Sequence, residues 1–335
     1  MPLVKILMAG LGGAGQRHLR NLREALGAKG TFLAFRERGR PEVITPDFRL
    51  DASARLDLPT FQSLDEALSQ RPDAVVVSNP TSEHVRVALA AARAGAHVLV
   101  EKPLSHTREG VAELERTLRE KARIGLVGYM MRFHPCLRQI RRWLDDGALG
   151  KIYSARLEAA SYVPDWHPYE DYRQLYAVQR RLGGGVVLTE SHELDLACWF
   201  FGRPRRVFAA GGSMSGRSGD VEDTASILLE YGFPVHVHLC FMQRPPSRSC
   251  EIVGEKGKIA WDGGVAVRLF DGSWQTRAFE SHERAHLFRD EADHFLACVE
   301  GRETPAIDVG AGAASLDVAL GALESMRTGN PVEIS

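Results

Sequence analysis

The chain has 335 residues, of which 44% are hydrophobic and 25% are charged, and its formal net charge is -1. This balance argues against nucleic acid or an acidic surface as the main partner, and the length is sufficient for two domains with sizeable cores. Five scattered cysteines without a C-x-x-C pair indicate neither a disulfide framework nor a zinc site, so no metal is expected.

The first predicted element is an apolar strand at residues 4–9, which runs directly into a glycine turn and a helix. Gly10, Gly12 and Gly15 have the G-x-G-x-x-G spacing. In that motif the first glycine allows a tight turn, the second lets backbone approach a pyrophosphate, and the third lets helix and strand pack closely. Amides at the helix start then face the phosphates, which the helix dipole also favours. The predicted phosphate-binding residues are Gly10, Gly12, Gly13, Ala14 and Gly15.

Strands and helices alternate as far as residue 127. Further strands are predicted at residues 31–35, 73–78, 97–100 and 124–127. Amphipathic helices lie between them, one of which begins with a capping-box sequence at Ser63. This alternation is typical of a doubly wound, Rossmann-type parallel sheet, whose ligands bind at the carboxyl ends of the strands.

The loop after the second strand bears on the choice of cofactor. An acidic residue about 20 positions after the glycines holds the ribose 2′-hydroxyl of NAD, whereas an arginine suits the 2′-phosphate of NADP. Arg36 stands at that position, followed by Glu37 and Arg38. The loop therefore favours NADP(H) and leaves NAD(H) as an alternative, while a solvated basic loop is the non-functional interpretation.

Other strands of the predicted sheet also end in polar loops. Because these carboxyl ends meet at one edge of the sheet, their side chains are expected to reach the same dinucleotide. The residues predicted to do so are Ser78, Asn79, Pro80, His84, Glu101 and Lys102.

At the Glu101-Lys102-Pro103 tripeptide, which follows a strand and a nucleotide fingerprint, the chain resembles the Gfo/Idh/MocA family of NAD(P)-dependent sugar and cyclitol oxidoreductases. The resemblance covers nearly the whole chain. Its five motifs occur in the family's order, at residues 10–22, 79–84, 101–103, 128–133 and 183–195. It implies hydride transfer between C4 of a nicotinamide and a carbon that bears a hydroxyl or carbonyl group.

In that family the lysine of the tripeptide lies near the nicotinamide and the reacting carbon, and its match here is Lys102. A lysine beside a positively charged ring and partly out of water has its pKa lowered toward neutrality. It can then exchange a proton with the reacting oxygen, and Glu101 is expected to orient it by ion pairing.

The family's second signature is a glycine run that opens a helix carrying an aspartate and a histidine toward the substrate. Here the run at residues 183–185 leads to His192, with Thr189 where the aspartate of the D-x-x-H pattern would stand. Two alternatives follow for the catalytic group. Either Glu190 supplies the carboxylate from a shifted position, or the lysine and His192 share the proton transfer while Thr189 only hydrogen-bonds the substrate.

From residue 151 the pattern changes to alternating strands joined by glycine turns, which predicts a large, mostly antiparallel sheet. A segment at residues 162–173, rich in aromatic and hydrogen-bonding side chains, suits a sugar-sized polyol pocket; a structural lid or a subunit contact is the alternative. Asp195 either orients the imidazole of His192 or pairs elsewhere. The candidate substrate-binding residues are Tyr129, Arg132, Asp165, His167, His192 and Asp195.

We therefore predict a dinucleotide-binding domain at residues 1–127 and an α+β domain for substrate binding and oligomerisation at residues 128–335. The expected function is hydride transfer to or from a sugar, sugar nucleotide or cyclitol. The rivals are a dinucleotide-sensing regulator and an enzyme that reduces an imine or a dihydrodiol. With no leader pattern and no apolar run of about 18 residues, we expect a cytoplasmic protein without membrane partners. An open sheet face predicts a homo-oligomer.

Overall fold

The computed structural model describes residues 4–37, 42–45 and 49–334. Apolar runs of valine, isoleucine and leucine form the inner strands of the first half, which are buried on both faces. The strands of this half are β1 (Val4–Ala9), β2 (Gly30–Phe35), β3 (Glu42–Ile44), β4 (Leu50–Arg55), β5 (Thr60–Phe61), β6 (Ala74–Val77), β7 (His97–Val100) and β8 (Gly125–Val127). Of these, β4 and β5 are partly or fully exposed. Six of them make a parallel sheet in the order β5-β2-β1-β6-β7-β8, and β3 pairs with β4 in a separate antiparallel ladder.

Most helices of the described residues follow the predicted apolar periodicities, and Ser63 caps the second helix by accepting a hydrogen bond from the Glu66 amide. Their bounds are α1 (Gly13–Leu26), α2 (Leu64–Ser69), α3 (His84–Arg93), α4 (Val111–Glu120), α5 (Pro135–Asp145), α6 (Val186–Thr189), α7 (His192–Phe201), α8 (Arg284–Val299) and α9 (Val309–Thr328).

The second half is built on a nine-stranded sheet. Its strands are β9 (Ile152–Tyr162), β10 (Arg206–Gly212), β11 (Thr224–Glu230), β12 (Pro234–Cys240), β13 (Met242–Gly254), β14 (Gly257–Trp261), β15 (Ala266–Phe270), β16 (Trp274–Ala278) and β17 (Val332–Glu333). The order is β16-β15-β14-β13-β9-β12-β11-β10-β17, and β9 pairs with β12 in parallel while the other ladders are antiparallel.

One face of this sheet is covered and the other is open. Side chains alternate along each strand, so that Val207, Leu229 and Ile252 are buried on the face where α7 and α9 pack. Their sequence neighbours Phe208 and Leu228 lie opposite one another on the open face.

The last two long helices return to the parallel sheet, because α8 packs against α1 and α9 contacts α4 and β8. The start of α8 therefore lies beside the carboxyl ends of the parallel strands, where a ligand of this fold binds. None of the helices in the described ranges is long and apolar enough to cross a membrane.

The predicted fold class, a Rossmann-type sheet followed by an α+β half with a large, mostly antiparallel sheet, is confirmed. Strands β3, β4 and β17 were not predicted, and three further elements differ from the prediction. Strand β13 begins at Met242 rather than near residue 250, because an irregularity in its pairing with β9 between Met242 and Ser247 accommodates Pro245 and Pro246. Helix α5 was not predicted, and the helix after the glycine run is divided into α6 and α7.

Candidate functional site

A cleft with a volume of about 1520 Å³ lies between the carboxyl ends of the parallel strands and the second sheet. Residues from both halves line it, including the predicted Lys102, Thr189, Glu190 and His192. The chemistry-bearing residues predicted from separate motifs are thus brought into one cavity.

The glycine turn after β1 forms one wall of this cleft. Gly10 has a φ of +96°, and a Cβ on it would lie 2.7 Å from the backbone of Ser78, so only glycine fits there. No side chain caps the start of α1 at Gly12, and a Cβ on Gly12 would meet no atom within 4 Å. Uncapped helix amides beside open space are what a pyrophosphate needs, so the residues fit a bound dinucleotide.

The loops after β6 and β7 are held together by His84. Its buried ring lies between the carbonyl oxygen of Pro103, 2.8 Å from Nδ1, and that of Asn79, 3.0 Å from Nε2. Ser78 Oγ donates to the carbonyl of Gly10 at 2.9 Å. Ser78, Asn79, Pro80 and His84 all line the cleft, and the contacts of Ser78 and His84 fix its shape.

Lys102 crosses the cleft from β7 to α6. Its Nζ donates a hydrogen bond to the carbonyl oxygen of Thr189 at 2.5 Å. Burial lowers the pKa of Lys102, although the carboxylates of Glu190 and Glu101 act in the opposite direction. Glu101 itself binds His18 Nε2 at 2.9 Å and Arg17 at 3.5 Å, rather than the lysine ammonium as predicted.

The charge state of Glu101 follows from these partners. Burial would raise the pKa of Glu101, but the hydrogen bond and charge of His18 and the charge of Arg17 outweigh it and lower that pKa to about 2. Glu101 is therefore ionised at neutral pH and accepts a further hydrogen bond from the Lys102 backbone amide at 3.1 Å.

The glycine run positions the short helix α6. Gly185 has a φ of +109°, and a Cβ there would lie 2.2 Å from Glu222 Oε1, the atom that accepts a hydrogen bond from the Val187 amide at 3.1 Å. The chain bends after Thr189, and His192 opens α7. The position of α6 and the bend that follows it therefore place both Thr189 and His192 at the cleft.

The imidazole of His192 is buried against the ring of Tyr129, with 5.7 Å between ring centroids. Burial lowers the pKa of His192 well below its ordinary value, and the positive charges of Lys102 and Arg248 add to the effect. His192 is therefore neutral at physiological pH.

Arg248 of β13 is a site residue that no local sequence pattern indicated. Its guanidinium bridges Glu190 at 3.0 Å and Glu193 at 2.9 Å. Burial raises the pKa of Glu193 to about 7, with Arg248 opposing the change. The carboxylate of Glu190 is thus held beside Lys102 by a residue distant in sequence.

Several predicted substrate-binding residues lie away from the cleft surface. Arg132 and Asp195 form a buried ion pair at 2.7 Å, and Ser315 Oγ donates to Asp195 at 2.9 Å. Asp195 therefore pairs with Arg132 rather than with His192. Tyr129 is packed beneath His192, while Asp165 is exposed and forms an ion pair with Arg244. None of these four lines the cleft among the described residues.

Part of the aromatic-rich segment at residues 162–173 lines the cleft. His167 lines it together with Trp166 and Tyr169; the His167 ring stacks on Tyr169 and its Nδ1 contacts Glu170 Oε1 at 2.8 Å. Glu170 lines the cleft as well, whereas the other eight residues of the segment, Asp165 among them, do not.

At the opposite end of the cleft, Arg36 lies at the surface of the cavity, as does Glu37, which pairs with Arg86 at 3.2 Å. Arg38 falls outside the described residues. Among the described residues no group of three or more His, Cys, Asp or Glu side chains could hold a metal ion.

Comparison with known proteins agrees with this architecture. Residues 4–129 match a family model described as "Oxidoreductase family, NAD-binding Rossmann fold", and residues 137–260 match the "GFO/IDH/MocA C-terminal domain". Inositol 2-dehydrogenase 2 of Saccharopolyspora erythraea is 28% identical, with 99% of this chain and 96% of that protein covered. The scyllo-inositol 2-dehydrogenase (NAD(+)) of Bacillus subtilis is 26% identical with the same coverage.

A solved structure has the same fold over the entire chain. The WlbA dehydrogenase from Bordetella pertussis, in complex with NADH and UDP-GlcNAcA, superimposes with a TM-score of 0.81 at 21% identity, covering 100% of this chain and 98% of that one. The family matches and the full-length relatives support the predicted enzyme over the dinucleotide-sensing regulator. The chain therefore belongs to the GFO/IDH/MocA family of oxidoreductases, and residues 4–129 are its NAD-binding Rossmann portion.

Proposed function

We propose that the protein catalyses hydride transfer between a nicotinamide dinucleotide and a CH–OH carbon of a sugar or cyclitol. When bound, the dinucleotide supplies the hydride acceptor or donor. The observation that carries the proposal is that the uncapped glycine turn and the ammonium of Lys102 face one cleft, with the imidazole of His192 beside it. The full-length relatives named as inositol dehydrogenases support this substrate class.

Lys102 is the group proposed to move the proton. Its ammonium is fixed by the Thr189 carbonyl, its pKa is lowered by burial, and the nearby Glu190 carboxylate keeps the charged form accessible. His192 is neutral and lines the cleft, so its imidazole is suited to hydrogen-bond the substrate hydroxyl. Of the two alternatives for the missing aspartate, this arrangement favours Glu190 as the carboxylate.

The function is tested by replacing Lys102 with alanine. We expect the turnover number to fall by roughly 10²- to 10⁴-fold, because positioned proton transfer contributes about that factor. The dissociation constant of the dinucleotide should stay within a few-fold of the wild-type value, since the glycine turn is unchanged. Turnover is followed by absorbance at 340 nm with a panel of sugars and cyclitols, and binding by fluorescence titration.

Two results would count against this proposal. Wild-type turnover in the alanine variant would remove Lys102 from the chemistry. Tight dinucleotide binding without turnover of any polyol, imine or dihydrodiol would instead favour the sensing regulator.

For the cofactor, we propose a preference for NADP(H) over NAD(H). The support is the position of Arg36 at the cleft surface, at the end of β2, while the Glu37 carboxylate is engaged by Arg86. We expect the wild type to bind NADP more tightly than NAD, and Arg36→Leu to abolish that preference by weakening NADP alone. Equal dissociation constants for both nucleotides in the wild type would contradict the assignment.

We also propose that copies of the chain associate through the open face of the nine-stranded sheet. Strand register places Phe208 and Leu228 opposite each other there, and Phe270 and Trp274 form a second cross-strand pair on the same face. An apolar sheet face of this kind is usually covered.

A further inference from the structure

Arg284 is the first residue of α8 and lines the cleft. Within the part of the chain that the structure describes, no carboxylate pairs with its guanidinium and no carbonyl accepts a hydrogen bond from it. Every other cation at this end of the cleft has a partner. Lys102 binds the Thr189 carbonyl, Arg248 binds two glutamates, and Arg17 lies 3.5 Å from Glu101. Arg284 is exposed to solvent, so the five donors of its guanidinium are open to a ligand in the cleft.

Helix geometry places Arg284 at the end of the cleft where Lys102 lies. Phe288, four residues further along α8, lies on the same side of the helix and carries the Arg17 guanidinium 3.7 Å above its ring. Arg17 in turn contacts Glu101, the residue next to Lys102. Although Arg284 is an exposed residue, partial desolvation in the cleft and the positive charges of Arg248 and Arg17 lower its pKa, with Glu190 opposing the change. This agrees with three guanidiniums sharing the region.

The charges of the side chains around Arg284 do not balance. Four cationic side chains meet three paired carboxylates, and burial raises the pKa of a fourth carboxyl group, Glu291, well above its ordinary value, so that Glu291 is neutral. One of the three, Glu193, has its pKa raised to about 7 and is only partly ionised at neutral pH. The cationic side chains are Arg17, Lys102, Arg248 and Arg284, and the carboxylates are Glu101, Glu190 and Glu193.

We propose that the substrate is an acidic sugar or cyclitol, whose carboxylate or phosphate group is bound by Arg284. This inference rests on the proposed function, because it concerns the molecule that Lys102 oxidises or reduces. A planar guanidinium binds carboxylate and phosphate oxygens in bidentate fashion, which gives orientation as well as affinity. Binding of the anion by Arg284 then fixes which ring carbon faces Lys102.

The same chemistry would also suit a phosphate of the dinucleotide, and the contacts favour the substrate. Arg284 is linked through Arg17 and Glu101 to Lys102, and Arg284 is among the charges that act on His192. The glycine turn already offers uncapped helix amides for the pyrophosphate.

The experiment compares matched neutral and acidic substrates with saturating dinucleotide. The pairs are D-glucose with D-glucuronate or D-glucose 6-phosphate, and myo-inositol with myo-inositol 1-phosphate, each measured at 340 nm. We expect kcat/KM to be at least about tenfold higher for the acidic members, as one charge-assisted hydrogen bond can provide. Comparing the carboxylate with the phosphate member identifies the anion.

The variant Arg284→Gln should raise the KM of acidic substrates about 10- to 100-fold more than it raises the KM of neutral sugars, and it should keep the wild-type melting temperature. Arg284→Lys should restore part of the preference. Arg116→Gln is the control, because Arg116 is an exposed arginine on α4 with only a 3.9 Å contact to Glu120. The shift in melting temperature caused by glucuronate, measured on the dinucleotide-loaded protein, gives a second readout that needs no turnover.

The outcomes separate this inference from the proposed function. Turnover of neutral members with equal or higher kcat/KM overturns the inference and leaves the dehydrogenase intact. A loss in Arg284→Gln confined to dinucleotide affinity assigns the residue to a cofactor phosphate and also overturns it. If no sugar of either class is turned over or shifts the melting temperature, the proposed function fails and the inference fails with it.

Discussion

At the scale of single residues, Lys102 is held by the main-chain carbonyl of Thr189 and not by its side chain. Any residue type at position 189 can present that carbonyl, provided that α6 keeps its place. The threonine found where the family pattern has an aspartate therefore leaves the contact to Lys102 intact, while the neighbouring Glu190 supplies negative charge.

The glycine turn gives a prediction with an internal control. Gly12 has an ordinary φ of -73°, and a Cβ on it would project into open space, so Gly12→Ala should fold normally. The added methyl group would occupy the space of the pyrophosphate, and we expect dinucleotide affinity to fall by about tenfold. Calorimetric titration and a thermal melt measure the two quantities.

Gly15→Ala should instead lower the stability of the fold. A Cβ there would lie 2.3 Å from the Gly10 carbonyl oxygen, so α1 must shift and the melting temperature should fall. Unchanged dinucleotide affinity in Gly12→Ala would show that the pyrophosphate is bound elsewhere.

The sequence predicted those site residues that belong to short motifs. The glycine turn, Lys102 and His192 could be found because each motif places its residues a few positions apart. Arg248 and Arg284 could not, since they reach the cleft through strand register and helix packing over long separations. The roles predicted for Tyr129, Arg132, Asp165 and Asp195 as substrate contacts remain untested.

At the scale of secondary-structure elements, the ion pair between Arg132 and Asp195 joins three segments: the turn after β8, helix α7 and, through Ser315, helix α9. Removing one member of a buried pair leaves the other charge uncompensated. We expect Asp195→Ala to lower the free energy of unfolding by about 3–5 kcal/mol, measured by urea denaturation.

The matched control is the exposed pair of Arg93 and Glu113, where Glu113→Ala should cost less than about 1 kcal/mol. If Asp195→Ala kept its stability and instead raised the KM of a substrate, the role predicted from sequence would be supported.

Element boundaries show where sequence patterns stop being informative. The division between α6 and α7 could not be predicted, because no glycine or proline marks the bend, which lies at Glu190 and Ser191. Proline cannot donate a hydrogen bond to a neighbouring strand, and the irregular pairing between Met242 and Ser247 lets β13 contain Pro245 and Pro246.

At the scale of the whole molecule, the fold class followed from the sequence because the change from alternating strands and helices to successive strands is visible along the chain. The return of α8 and α9 to the parallel sheet was not visible, since their apolar stripes do not specify a partner. The division of domains at residues 127 and 128 therefore stays a prediction.

Association through the open sheet face can be tested in solution. Leu228→Glu places a charge on the open face, opposite Phe208 on one side and His236 on the other. We expect this variant to sediment as a smaller species than the wild type. Lys121→Glu, an exposed change after α4, should leave the sedimentation unchanged; a wild type that sediments as a monomer would contradict the proposal.

The packing of α8 against α1 has a consequence for biosynthesis. Arg289 of α8 reaches Glu24 of α1 at 3.2 Å, although 265 positions separate them in the chain. A nascent chain whose parallel sheet has already emerged from the ribosome still lacks one wall of its cleft. The polypeptide must be translated almost to its end before it can bind and turn over a substrate.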